Sequence, residues 1–355
     1  MSDVTLTVDG LIYGGWKSVS VRRSIETISG TFSLSVSERW PGQQALKAIL
    51  PGQKCLVTLD GETVITGYVD DVAPAYSATS HEVSIDGRDV TSDLVDCSAI
   101  HSPGEWQGLR LEAIVTILAK PFGITVTAVT DTGEPFRSFG IEPGETAFEA
   151  IERACRMRAV LATSDGRGGL NIIRANKTNG NTSRASVALK RGENILEASG
   201  RLSHRDRYSQ YIVKGQQPSG ADQIPPEQLA QIRGEATDPG TRRYRPLQII
   251  AEQSVDGASA QDRAIWEANV RAARARRISV VVQGWRERPD GGLWSPNRLV
   301  RLSDDWLAID QDMLIVGVTF SKGDRGSRTE LSLMPPGAFE LKAEPEPEED
   351  AGWMR

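Results

Sequence analysis

The sequence predicts a β-rich α+β fold built from two similar small β-barrel domains, with an α/β module and a further helix-containing region inserted between their strands. Three observations predict it. Apolar residues alternate with a period of two near both ends of the chain, as in Val4, Leu6 and Val8 or Ile278, Val280 and Val282. Between them the period lengthens to that of a helix, with Leu111, Ile114, Val115 and Leu118 at i, i+3, i+4 and i+7. Finally, LVTLDGETVITGYVDDV (56–72) and LVRLSDDWLAIDQDMLIVGVTFSKG (299–323) share a strand, a turn and a second strand bearing Gly67 or Gly317. A later alternating strand, HEVSIDG or TELSLMP, follows each, so the two read as copies of one unit.

Residues 1–98 form the first predicted barrel. Its strands include Phe32, Leu34 and Val36, then Val57 and Leu59, then Val83 and Ile85, separated by the turn formers Pro51-Gly52, Asp60-Gly61 and Asp86-Gly87. Residues 99–185 form the α/β module. Pro121 and Gly123 stop its first helix, and a second begins near Glu145, whose charge suits a helix N-terminus, with Phe148, Ile151 and Cys155 on one face. VLATS and GLNIIR then read as strands joined across Asp165-Gly-Arg-Gly-Gly. The second barrel is expected to start over 186–216, with YSQYIVKG as one of its strands, and to resume over 278–340. In between, 217–277 reads as a loop rich in turn formers and a third helix over about 259–276, with Trp266, Val270 and Ala273 on one side. The basic end of that helix, Arg271, Arg274, Arg276 and Arg277, suits the negative C-terminal dipole as a solvated helix end. GWRERPDGGLWSPNRLV (284–300) reads as a β-hairpin with Trp285 and Trp294 flanking a Pro-Asp-Gly-Gly turn. The Glu- and Pro-rich residues 341–355 read as a disordered acidic tail.

With 355 residues, 39% hydrophobic and 25% charged, the chain has the composition of a globular protein with more than one core. Cys55, Cys97 and Cys155 are odd in number and far apart, so neither a disulfide framework nor a zinc site is expected. The start MSDVTLTVDG lacks the features of a signal peptide, and no stretch has the roughly 18 apolar residues that span a bilayer, which predicts synthesis in a cytoplasm and no stable membrane insertion. Two Asn-x-Ser/Thr sequences, at Asn176 and Asn181, read as polar loops. A net charge of −6 opposes the phosphate neutralisation from which nucleic-acid binders draw affinity.

No catalytic pattern emerges. His81, His101 and His204 are isolated, and no nucleophile elbow, Walker loop or dinucleotide fingerprint occurs; Gly166-Arg-Gly-Gly lies between strands rather than before a helix. Glu145, Glu149 and Glu152 share a helical face, but with Arg153 and Arg156 beside them they read as solvated surface rather than paired acid and base. No catalytic residue, cofactor site or metal site is therefore assigned.

The segments RSIETISGTFSLSVSERW, LPGQKCLVTLDGETVITGYVDDV, VSIDGRDVTSDLVDCSA, IEPGETAFEAIERACRMRAVLATSDGRGGLNIIR, and GWRERPDGGLWSPNRLV with DMLIVGVTF give the chain a family resemblance. In their order and spacing they resemble the baseplate hub proteins of Mu-type contractile-tailed phages, related to late-control D proteins and, more distantly, to the hub part of type VI secretion spikes. The resemblance implies a structural late protein of the virion tail, assembled in the host cytoplasm. It implies a homotrimer whose two barrels per subunit make a ring of pseudo-sixfold symmetry, joining the sixfold tail tube and other baseplate proteins to a threefold central spike and letting DNA pass without specific binding. A tailocin or secretion-system hub is the alternative, and a cell-wall glycan hydrolase a third reading. In such an assembly Trp285, Trp294 and Trp306 are the candidate subunit or partner contacts, with one of the paired tryptophans expected in the core and the other at an interface.

Overall fold

The computed structural model describes residues 3–37, 49–79, 81–178, 181–216, 233–254 and 257–342. Alternating sequence becomes alternating burial from the first strand onward. In β1 (Val4–Val8) Val4, Leu6 and Val8 point inward, and the strand pairs with β2 (Leu11–Tyr13) and β5 (Lys54–Leu59). Asp60 and Gly61 both take positive φ, 48° and 80°, the geometry a two-residue hairpin turn requires, and so fold β5 onto β6 (Glu62–Tyr76). β3 (Ser18–Ser24), β4 (Thr31–Ser37) and β7 (His81–Asp89) complete this part.

The α/β module follows α1 (Ser92–Asp96) and opens with β8 (Glu105–Gln107). α2 (Leu111–Ala119) gives way to a single 3₁₀ turn holding Pro121, and Gly123 closes it at φ 70°, as the breakers predict. β9 (Thr125–Ala128), β10 (Ser138–Gly140), α3 (Ala147–Met157), β11 (Leu161–Ser164) and β12 (Gly169–Ile173) follow. β12 pairs parallel to β9 and antiparallel to β11, and Ile114, Val115, Ala150, Ile151, Leu170 and Ile172 fill the layer between helices and sheet. The buried face of α3 is richer in alanine than the sequence suggested: Ala147, Ala150 and Ala154 join Ile151 and Cys155, while Phe148 is only partly buried.

After β13 (Lys177–Thr178) and β14 (Asn181–Thr182), Arg184 already bridges to Leu299, and β15 (Leu189–Lys190) and β16 (Ile195–Leu202) belong to the large sheet. One boundary needs correction. β17 (Gln210–Gln216), the YSQYIVKG strand expected in the second barrel, instead pairs with β18 (Arg233–Thr237) and β19 (Pro246–Ser254) in a separate three-stranded sheet. Val213 is wholly buried there against Ala260 and Ala264 of α4 (Gly257–Arg274), so its apolar partners lie in the insertion and the insertion begins before residue 217. The turn-rich stretch 217–232 and the acidic residues from 343 onward lie outside the described residues.

The chain then returns to the large sheet through β20 (Arg276–Gln283), β21 (Arg298–Asp304), β22 (Ile309–Gly323) and β23 (Gly326–Met334). Among the described residues this sheet has thirteen strands, in the order β16-β20-β23-β22-β3-β4-β7-β6-β5-β1-β2, with β21 beside β22 and β15 beside β21. The sequence repeat has a structural counterpart. The path β5-β6-β7-β4-β3 recurs as β21-β22-β23-β20-β16, β6 and β22 each have 15 residues, and β7 and β23 each have 9. Within the chain the copies meet where β3 pairs with β22. One apolar core runs through both, from Leu6, Leu34 and Ile65 to Val280, Ile315 and Phe320, so the molecule is mostly β and is organised by one large, mainly antiparallel sheet.

Candidate assembly surfaces

β20 and β21 do not pair with each other, so the expected hairpin is corrected: β20 lies between β16 and β23, and β21 pairs with β22 and β15. Only a short ribbon survives between them. Arg286 bridges to Leu293, the Trp294 N–H donates to the Trp285 carbonyl at 3.0 Å, and the Glu287 N–H donates to the Gly292 carbonyl at 3.1 Å. The left-handed backbone lies at the ends of this loop, Gly284 and Asn297, rather than at Gly291 or Gly292.

Opposed residues of a ribbon share a face, and here that face turns inward. Trp285 is 2% exposed and Trp294 3%, both in the chain's own core, so neither is free to meet a partner; the expectation that one of them lies at an interface is corrected. The Trp285 indole N–H donates to the Ser321 carbonyl at 3.1 Å, giving its polar edge a partner inside the fold. On the other face of the ribbon, Arg286 reaches Glu62 at 2.7 Å and Asp60 at 3.6 Å, in the first copy's β5–β6 turn. Glu287 is buried and accepts from the Ser186 N–H at 2.7 Å, from its Oγ at 2.6 Å, and from Arg298. The aromatic loop is thus an internal clamp between the copies. Trp306, in the β21–β22 turn, is 79% exposed, with the Arg191 guanidinium 5.9 Å from its ring centre and bonded to Asp305.

A second clamp joins the large sheet to the α/β module. Arg23 donates to the Asp165 carbonyl at 2.9 Å across this junction, and beside it the Asp89 carboxylate accepts locally from the N–H and the Oγ1 of Thr91, each at 3.0 Å. Burial lowers the Arg23 pKa and raises that of Asp89, in each case against the pull of neighbouring opposite charge or hydrogen bonds. The buried thiols of Cys55 and Cys155 are pushed up to about 12 by desolvation, which keeps them protonated and unreactive.

The groups weighed for chemistry have structural employment. Glu149 closes the cap of α3, Glu145 accepts from Arg153 at 2.8 Å, and Glu152 lies 3.9 Å from Arg156. The basic end of α4 is partnered rather than merely solvated: Arg271 bonds Glu267, Arg274 donates to the Ala338 carbonyl, and Arg277 bonds Glu26. His101 packs on Trp106, and His81 stacks with Tyr76. Among the described residues no three His, Cys, Asp or Glu side chains are grouped to hold a metal, and no helix is long and apolar enough to cross a membrane.

Residues 3–89 match the family model of the Mu phage baseplate assembly protein GpP-like N-terminal domain, 91–174 that of the second domain of baseplate hub protein gp44-like proteins, and 256–342 that of the GpP fourth domain. Over 349 residues the chain is 38% identical to the baseplate hub protein gp44 of Escherichia phage Mu, covering 96% of this chain and 90% of that protein. The chain belongs to the Mu-type baseplate hub family. Solved relatives of this hub chain include the 43 kDa tail protein of prophage MuSo2 from Shewanella oneidensis, with a TM-score of 0.85, 37% identity, and coverage of 96% of this chain and all of that one. A tail protein from Neisseria meningitidis has a TM-score of 0.79 at 22% identity, covering 96% and 99%. The fold extends to the Escherichia coli type VI secretion component c3393, with a TM-score of 0.54 at 12% identity, covering 96% and 80%. The hub chain is accordingly a structural component of a phage-type tail baseplate, and its family is not enzymatic.

Proposed function

We propose that this hub chain works as a homotrimer at the centre of the baseplate, joining the tail tube to a central spike and leaving a passage for DNA. The observation that carries the reading is the internal repeat: the same five-strand path occurs twice in one chain. Three such chains offer six similar units to a sixfold tube while keeping threefold symmetry for a spike. Each path is read as one barrel-like domain, residues 1–98 forming the first and the strands of 186–216 and 278–340, without β17, forming the second. The α/β module at 99–185 and the insertion that begins before 217 and runs to 277 hang from that ring. Exposed Trp306 is the candidate partner contact that remains on the surface. A net charge of −6 favours a lumen through which DNA slides without saturable binding. The spike, the tube and neighbouring baseplate proteins are the expected partners, and the virion tail, assembled in the host cytoplasm, is the expected location.

Sedimentation equilibrium of the purified full chain at micromolar concentration tests the assembly: a mass of three chains is expected, and a monomer under all moderate-salt conditions overturns it. The fold shared with c3393 favours a second reading, the hub of a tailocin or secretion-system spike. The genes encoded beside this one distinguish the two. Clearing of purified peptidoglycan by the chain is the result that would revive a glycan hydrolase.

A further inference from the structure

A cavity of about 350 Å³ opens where the insertion meets the end of β16. α4 lines it with the apolar surface of Trp266 and Val270 and with the guanidinium groups of Arg271 and Arg274, and the segment after β16 adds Ser203 and Asp206. An apolar wall beside cationic donors suits an anionic segment that carries one large apolar residue.

The surroundings are cationic although the chain as a whole carries −6. Arg201 and Arg205 flank Ser203 in sequence, and the loop holding Arg242 and Arg243 is tied to the same segment: Arg245 Nη2 donates to the Arg205 carbonyl at 2.8 Å, and the Ser209 N–H donates to the Arg245 carbonyl at 2.8 Å. Arg201, Arg205, Arg242 and Arg243 are exposed, and among the described residues none of them has a carboxylate partner. Arg207, Arg263 and Arg271 nearby do have one, but Arg263 and Arg271 share Glu267, so two cations there meet one anion.

Residues 338–342 run along α4 towards its N-terminal half. Arg274 Nε donates to the Ala338 carbonyl at 2.9 Å, Trp266 Nε1 donates to the Glu340 carbonyl at 2.6 Å, and Lys342 Nζ lies 3.9 Å from Asp262. The sequence that follows, AEPEPEEDAGWMR (343–355), lies outside the described residues and sets Glu344, Glu346, Glu348, Glu349 and Asp350 ahead of Trp353. Composition leaves this segment nothing of its own to pack on, and the α4 surface offers a partner for both its charge and its indole. From Asp262 to Arg274 the helix rises about 18 Å, whereas Ala343 to Trp353 spans about 34 Å at the rise of an extended proline-rich chain, enough to turn back along α4. We propose that residues 343–353 fold back over α4 of the same chain, with Trp353 in the cavity and the acidic run on Arg271, Arg274 and the unpaired arginines of the two loops. Exposed ion pairs contribute little one at a time, so the indole is the anchor and the charges set direction and salt dependence. This contact lies within one chain and is independent of the assembly reading above.

Photo-cross-linking of the full chain tests this. With Trp353→p-benzoylphenylalanine, irradiation is expected to link the tail to residues 203–206 and 266–275, mapped by peptide mass, and to leave the product at the mass of one chain on a denaturing gel. Combining Arg205→Glu with Arg243→Glu, both exposed and outside the core, should lower the yield several-fold without moving the thermal midpoint, and high salt should lower it in the same way. Links scattered over other surfaces, no link at all, or a yield indifferent to the charge reversal overturn the proposal. So does a product with the mass of two chains, which puts the tail on a neighbour instead of on its own α4.

Discussion

Gly67 and Gly317, which the two sequence copies share, take different places on their long strands: Gly67 lies opposite β5, before the bulge in β6, and Gly317 lies opposite β3, after the bulge in β22. A Cβ on Gly67 would lie 1.9 Å from the Arg88 carbonyl oxygen, a backbone atom of the paired strand that cannot step aside. A Cβ on Gly317 meets nothing nearer than 3.6 Å. Gly67→Ala should therefore cost about 1–3 kcal/mol or more through forced separation of β6 and β7, while Gly317→Ala should leave the thermal midpoint nearly unchanged. Equal effects in the two variants, read by circular dichroism melting, would contradict this asymmetry. A glycine on the second strand of each copy was legible in the sequence, but the pairing places the two on opposite sides of the bulge. Which of the two glycines the packing requires was not legible, because that depends on how closely the partner backbone passes.

At the scale of elements, α3 is fixed by a capping box: Thr146 Oγ1 accepts from the Glu149 N–H at 3.2 Å, and the Thr146 N–H donates to Glu149 Oε2 at 2.7 Å. Thr146→Ala should cost about 1 kcal/mol, seen as faster amide exchange in the first turn of α3 before the rest of the module opens. The Thr-x-x-Glu signal stands in the sequence at 146–149, one residue past the start expected at Glu145. The insertion is held differently. Arg207 grips Asp238 with two hydrogen bonds of 2.7 Å, tying the start of β17 to the end of β18, and this bond holds the Asp238 carboxyl below its usual range. A depressed carboxyl pKa adds stability above the unfolded value, about 3.9, and that stability is lost as pH falls through the folded value. Asp238→Asn should thus weaken β17–β19 by about 1.5–3 kcal/mol at neutral pH, and the difference from the parent should shrink below about pH 4. Amide exchange of β17 at several pH values measures it; a gap that widens in acid would reverse the assignment.

Across the molecule, the continuous core makes the copies interdependent. Val57 and Ile65 of the first copy belong to the same buried cluster as Trp285 and Trp294 of the second. Trp285→Ala or Trp294→Ala should each cost about 3–5 kcal/mol. Each should also raise amide exchange at Val57 and Ile65, far away in sequence, and neither should yield a folded chain that has merely lost its oligomeric partners. Exchange confined to β20–β23 would show instead that the copies unfold separately.

The sequence by itself determined the β-rich character, the helices of the module, the repeat and the family, because periodicity, turn residues and the order of motifs are local properties carried by consecutive residues. α2 and its stop at Pro121 and Gly123 follow from nine residues and their flanks. Only the tertiary structure decided which strands pair. Trp285 and Trp294 look like the arms of a hairpin in sequence, yet their flanking strands hydrogen-bond elsewhere, and the YSQYIVKG strand leaves the large sheet for the insertion. Alternation shows that a strand has a buried face without showing what lies beside it. Each backbone edge offers the same donors and acceptors to any neighbour, and the choice falls to the packing of distant side chains.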